Sequence, residues 1–181
     1  MLPNIVLIGF MGSGKSSVGR KLANLTGHRF IDTDKLIINR MGQPITAIFK
    51  NHGEAYFRKL ETEELAKLVG LAGIVLATGG GVPTREENCE ILHKIGPVAW
   101  LDADPEKVFE RVSRNKRRPL LQTENPRKTF DELLQKRLSF YEKASDFRID
   151  SSKLKHHQVA RHVLDETMRY MARRPKSPSE N

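Results

Sequence analysis

The segment Ile5 to Ser17, "IVLIGFMGSGKSS", limits the fold of this chain more than any other. It is a short aliphatic run, then the pattern Gly-x-x-x-x-Gly-Lys-Ser, then helical spacing. An aliphatic run of this length reads as a strand buried on both faces. Val18, Leu22 and Leu25 recur at the helical period, so a helix is expected from about Lys15 to Leu25, with Gly27 at its end. Between strand and helix, Gly9, Gly12 and Gly14 let the backbone curl until successive N–H groups point inward, beside the positive end of the helix. Such a loop holds phosphate. Lys15 can reach the outer phosphates and the Ser16 hydroxyl can ligate Mg²⁺, so the expected ligand is the polyphosphate of a nucleotide, ATP.

Strand and helix patterns then alternate along the chain. Strands are expected at Asn4–Ile8, Arg29–Asp32, Ile74–Ala77, Val98–Leu101 and Phe147–Ile149. After the first helix come Thr33–Met41, a short helix ending near Lys50, and a longer one from about His52 to Val69. Four more follow at about Thr84–Lys94, Pro105–Ser113, Thr129–Ala144 and His156–Met171. This order predicts an α/β fold: a five-stranded parallel sheet with helices on both faces and ligands beyond the carboxyl ends of the strands. The 181 residues suit one domain, taken as 1–172, with residues 173–181 as a disordered tail. From Arg114 to Pro126, two prolines and many charges interrupt the periodicity. That stretch reads either as a mobile lid, about 112–126, or as an ordinary surface loop.

Composition narrows the class. The sequence has one cysteine, Cys89, so an internal disulfide is excluded and a reducing, cytoplasmic setting is expected. The apolar run near the N-terminus is too short for a membrane span or a signal segment. Net charge is +9, and residues 108–181 carry 18 Lys and Arg against 10 Asp and Glu. Such an excess suits nucleic acid or small anionic ligands, and composition does not separate them.

Other residues extend the site. "FIDTD" sets Asp32 and Asp34 two apart just past the second strand. In an extended segment both side chains would point to one side, one carboxylate for the Mg²⁺ water shell and one for an acceptor hydroxyl. Helix N-capping is the structural alternative. "TGGG", Thr78 to Gly81, leaves bare backbone for a flat ring or makes a tight turn. Asp102 ends the fourth strand, but Asp104-Pro105 reads as a helix start and is the preferred role for that segment. Arg58, Arg118 and Arg137 are candidates for forked binding of carboxylate or phosphate, although any one alone looks like a surface cation.

Taken in order, "GFMGSGKS", "DTD", "GE..FR..E" (Gly53, Glu54, Phe57, Arg58, Glu61), "GGG", "RPLL" and "KR...Y" (Arg137, Tyr141) resemble shikimate kinase over roughly residues 4–170. The resemblance implies a P-loop kinase that transfers the γ-phosphoryl group of ATP to the 3-hydroxyl of shikimate, in aromatic amino acid biosynthesis. It implies that Gly12, Ser13, Gly14, Lys15, Ser16 and Ser17 wrap the phosphates, that Ser16 ligates Mg²⁺, and that Asp32 holds water on the metal. Asp34 would take shikimate hydroxyls and act as base. Arg58 and Arg137 would hold the carboxylate, with Gly79, Gly80 and Gly81 beside the ring. The substrate region would span about 33–61. Arg118 would reach ATP phosphates from the lid and join Lys15 and Asp34 as catalytic residues. Adenine would lie between the lid side and the loop near Ser152 and Lys153. A monomer is expected, without nucleic-acid or membrane partners. Two rivals stand beside this: a small P-loop kinase acting on gluconate or a nucleoside monophosphate, and a nucleic-acid binder using the P-loop as a switch. The basic half lacks the interleaved aromatics of a stacking platform, which weighs against the second.

Overall fold

Every residue of the first strand, β1 (Ile5–Ile8), is buried, because helices cover both faces of the sheet at its centre. The computed structural model describes residues 2–113, 121 and 123–173. With β2 (Arg29–Asp32), β3 (Ile74–Ala77), β4 (Val98–Asp102) and β5 (Phe147–Asp150), β1 forms a parallel sheet in the order β2-β3-β1-β4-β5. The helices are α1 (Lys15–Thr26), α2 (Thr33–Met41), α3 (Ile45–Ala66), α4 (Glu86–Ile95), α5 (Pro105–Ser113), α6 (Pro126–Ala144) and α7 (His156–Arg173). A 3₁₀ turn, Val82–Thr84, leads into α4.

The aliphatic runs divide between two cores because successive side chains of a strand point to opposite faces. Ile5 and Leu7 of β1, Val75 of β3 and Leu101 of β4 pack with Val18 and Leu22 of α1 and Val159 and Val163 of α7. The intervening Val6, Ile8, Leu76 and Trp100 pack with Leu65, Leu92, Val108, Phe130 and Tyr141, from α3, α4, α5 and α6. A third, smaller cluster joins Ile37 of α2 to Ile48, Phe57 and Leu60 of α3. Helices α2 and α3 thus carry their own core beside the β2 edge. No helix among the described residues is long and apolar enough to cross a membrane.

The expected fold class is the one observed, with differences at element ends. The short and long helices expected around residues 45–69 are the two arms of α3, broken at Gly53, whose φ of 79° and ψ of 173° are not helical. Helix α6 begins three residues before the expected Thr129: Pro126 fits the first helical position and the Asn125 side chain accepts the Lys128 N–H at 3.1 Å. Most of the expected lid, Arg118 included, lies outside the described residues, as does the tail beyond Arg173.

Gly53 sits in a region of backbone space open essentially to glycine alone. A Cβ there meets nothing within 4 Å, so any penalty is conformational rather than steric. Gly53→Ala is expected to cost about 1–3 kcal/mol, read by urea denaturation. A loss below about 0.5 kcal/mol would mean that α3 can run straight through this position.

Candidate active site

The loop after β1 coils around its own lysine. Lys15 Nζ donates to the carbonyl oxygens of Gly9 at 2.7 Å and Phe10 at 2.8 Å, and positive φ at Gly12 and Gly14 completes the curl. The Ser16 hydroxyl donates to Asp32 Oδ2 at 2.7 Å. The other oxygen, Oδ1, accepts the Asp34 and Lys35 N–H groups at 3.1 and 3.4 Å, which caps α2. Capping and contact with the phosphate loop are therefore not alternatives; Asp32 does both, one oxygen each.

The extended spacing expected to align Asp32 with Asp34 is not what aligns them. Helix α2 starts at Thr33, so Asp34 lies in its first turn while Asp32 ends β2. Both nevertheless line one cleft of about 380 Å³, together with Lys15, Ser16, Gly79 and Gly80. Gly12, Gly14 and Ser17 border it too. Ser13 lies beneath: it is buried, and its hydroxyl has no partner among the described residues.

The bareness of the glycine run has a cause inside the protein. A Cβ on Gly81 would lie 2.4 Å from Cζ of Arg58, and one on Gly79 would lie 2.4 Å from Glu61 Oε1 and 2.9 Å from Asp34 Oδ1. The glycines make room for side chains. Arg58 donates through Nη1 to Glu61 Oε2 at 2.6 Å and through Nη2 to Glu54 Oε1 at 2.7 Å. Gly79 is held from below, its N–H donating to the Thr33 hydroxyl at 2.8 Å. On the far side, the Tyr141 hydroxyl donates to Gly80 O at 2.6 Å. Arg137 is buried, hydrogen-bonded to Tyr141 and packed over the Phe10 ring at 5.8 Å. Burial pushes the Tyr141 hydroxyl up to about 12. Asp34, Arg58 and Arg137 thus meet around Gly79–Gly81, next to the phosphate loop.

Other expected residues fall elsewhere. Lys153 is exposed in the turn between β5 and α7 and does not line the cleft. Asp102 is engaged by Arg148, whose Nε donates to it at 3.1 Å, while Asp104 Oδ1 accepts the Glu106 N–H at 2.9 Å and starts α5. Arg111 and His156, at the end of α5 and the start of α7, line the cleft without having been singled out from sequence. Arg111 Nη1 donates to Gly12 O at 3.3 Å. Neither sits in a motif; only position at a helix end facing the β1 loop distinguishes them, and that is a tertiary fact.

The donor set suits a magnesium nucleotide. Magnesium keeps most of its water and takes few protein ligands beside substrate phosphates, which is what one hydroxyl and one adjacent carboxylate can offer.

Comparison with known proteins gives a consistent result. The family model described as shikimate kinase matches residues 11–168. A shikimate kinase of Thermodesulfovibrio yellowstonii is 45% identical over 165 residues, which is 91% of this chain and 95% of that protein. The structure of shikimate kinase from Acinetobacter baumannii in complex with shikimate superposes with a TM-score of 0.90 at 39% identity, covering 93% of this chain and 94% of that one. A gluconokinase from Sinorhizobium meliloti matches at 15% identity with a TM-score of 0.58, covering 96% and 98% of the two chains; that similarity is one of fold alone.

Removing the Tyr141 hydroxyl leaves the Gly80 carbonyl and Arg137 each short of a partner in a buried place. Tyr141→Phe is expected to lower stability by about 1–3 kcal/mol in urea denaturation. An unchanged midpoint would show that the hydroxyl does not hold the glycine run.

Proposed function

The chain belongs to the shikimate kinase family, and from that premise we propose that the cleft transfers the γ-phosphoryl group of ATP to the 3-hydroxyl of shikimate through the residues described above. What carries this reading is the meeting of one carboxylate, Asp34, and two arginines, Arg58 and Arg137, on the flank of a phosphate loop. Shikimate is a carboxylate that bears hydroxyls, so it needs a cationic clamp at one end and a hydrogen-bond acceptor at the other. A nucleoside monophosphate has no carboxylate for this clamp, while gluconate, itself a hydroxy acid, is separated by the substrate comparison below.

In this reading Gly12–Ser17 wrap the phosphates, with Lys15 as the cation for the outer ones. Arg58 and Arg137 fix the substrate carboxylate, and the Gly79–Gly81 backbone borders the ring. Asp34 orients the 3-hydroxyl and accepts its proton as the oxygen attacks. Ser16 and Asp32 would hold Mg²⁺, Asp32 through water; when bound, the metal neutralises charge on the phosphates. Arg118, outside the described residues, is assigned to the transferring phosphate. Positioning supplies the remainder, since phosphoryl transfer is mainly a matter of alignment and charge.

The direct test is nucleotide consumption with shikimate set against gluconate, AMP and CMP. Shikimate alone should drive it; turnover with one of the others and none with shikimate would overturn the assignment. Two variants separate the roles. Asp34→Asn should lower kcat by about 10²–10⁴ with little change in nucleotide binding, the range typical of a lost general base. Arg58→Ala should act mainly by raising KM for shikimate, and an unchanged KM would remove Arg58 from the clamp.

A further inference from the structure

Glu61 has no task in the reaction above, yet it sits among the residues that have one. Its carboxylate is fully buried. One oxygen, Oε2, takes the Arg58 guanidinium at 2.6 Å; the other, Oε1, is buried with no hydrogen-bond partner among the described residues. Oε1 lies 2.4 Å, and Asp34 Oδ1 2.9 Å, from where a Cβ of Gly79 would be, so its open oxygen faces the region of a second acid. A buried carboxylate with one oxygen unmet is stable only while cations hold its charge.

The groups around it come from three helices. Arg58 pairs with it directly on α3, and Glu54 on the same helix shares that arginine. Asp34 faces it from α2, and Arg137 and Tyr141 from α6. Burial and Asp34 favour the protonated form, Arg58 and Arg137 the ionised one, and the balance leaves Glu61 pushed up to about 7. A substrate carboxylate seated on Arg58 and Arg137 adds negative charge to the two cations that keep Glu61 ionised. The ionised form then loses support while burial and Asp34 continue to oppose it.

We propose that Glu61 takes up a proton from solvent, at Oε1, when the organic acid binds to Arg58 and Arg137, so that the buried cluster gains little net charge. Glu61 is thereby a positioning residue that links substrate affinity to pH. The proposal rests on the reading that these arginines receive the substrate carboxylate. The sign follows from linkage: the bound state holds more protons than the free state, so binding weakens as pH rises above neutrality. Between the free and bound titration points the dissociation constant should rise by up to about tenfold per pH unit.

The test is calorimetric titration of the full chain with shikimate at about pH 7.5, in HEPES and in Tris, whose ionisation heats differ. The wild type should take up about half a proton or more per site, read from the difference in heat. Glu61→Gln, which keeps an oxygen for Arg58, should bind shikimate with that difference abolished and with a flattened pH dependence of affinity. Heat independent of buffer in the wild type, or unchanged uptake in Glu61→Gln, overturns the proposal. Failure of the wild type to bind shikimate at all would instead overturn the carboxylate clamp on which it rests. If Glu61→Gln does not fold by circular dichroism, the wild-type affinity from pH 6.5 to 8.5 decides: a fall supports the linkage and a flat profile overturns it.

Discussion

A carboxylate buried without water must have a cation within hydrogen-bond reach, and the pair formed by Glu61 and Arg58 meets that requirement against the backbone of Gly79–Gly81. Much of the glycine-run side of the cleft depends on this contact. The guanidinium lies where a Cβ of Gly81 would be and the carboxylate where a Cβ of Gly79 would be, so the glycine run and the second arm of α3 are fitted to one another. Removing one member of a buried pair typically costs about 3–5 kcal/mol, because the other is left charged and unmet. The break at Gly53 lets α3 change direction just before the two turns that carry Glu54, Arg58 and Glu61.

The phosphate side has a different origin. Strand β1 lies between β3 and β4, with all neighbours parallel, so the loops that follow β1 and β3 leave the sheet side by side. Strand β2 pairs with β3 in register from Arg29 opposite Ile74 to Asp32 opposite Ala77, and this brings Asp32 to the level where the glycine run begins. Parallel order thus turns three separate pieces of chain into one crevice at the carboxyl edge, where sheets of this kind bind ligands. Asp32 links the two sides: one oxygen meets the Ser16 hydroxyl and the other caps the helix that carries Asp34.

What could be read from sequence follows how local each cause is. The phosphate loop was legible because its glycines, lysine and serine are contiguous and its flanking periodicities are strong. Asp34 was singled out through an extended geometry that the structure does not have; the helix start at Thr33 and the cap by Asp32 bring it to the cleft instead. Arg58 and Arg137 were candidates for forked anion binding, but each alone looks like a surface cation, and their burial depends on Gly81 and Phe10 far along the chain. Arg111 and His156 gave no signal, because nothing near them in sequence marks a helix end as facing the β1 loop.

By itself the sequence determined the alternation of strands and helices, the parallel sheet and the glycine loop that curls around Lys15. Each of these arises from spacing and backbone preference within a few residues. Only the tertiary structure decided that Glu61 is buried beside Asp34, that glycines 79 and 81 are bare to admit side chains, and that the arginines meet there. Those are matters of which surfaces exclude water and which charges then face one another. Both depend on contacts between segments tens of residues apart, and no local pattern encodes them.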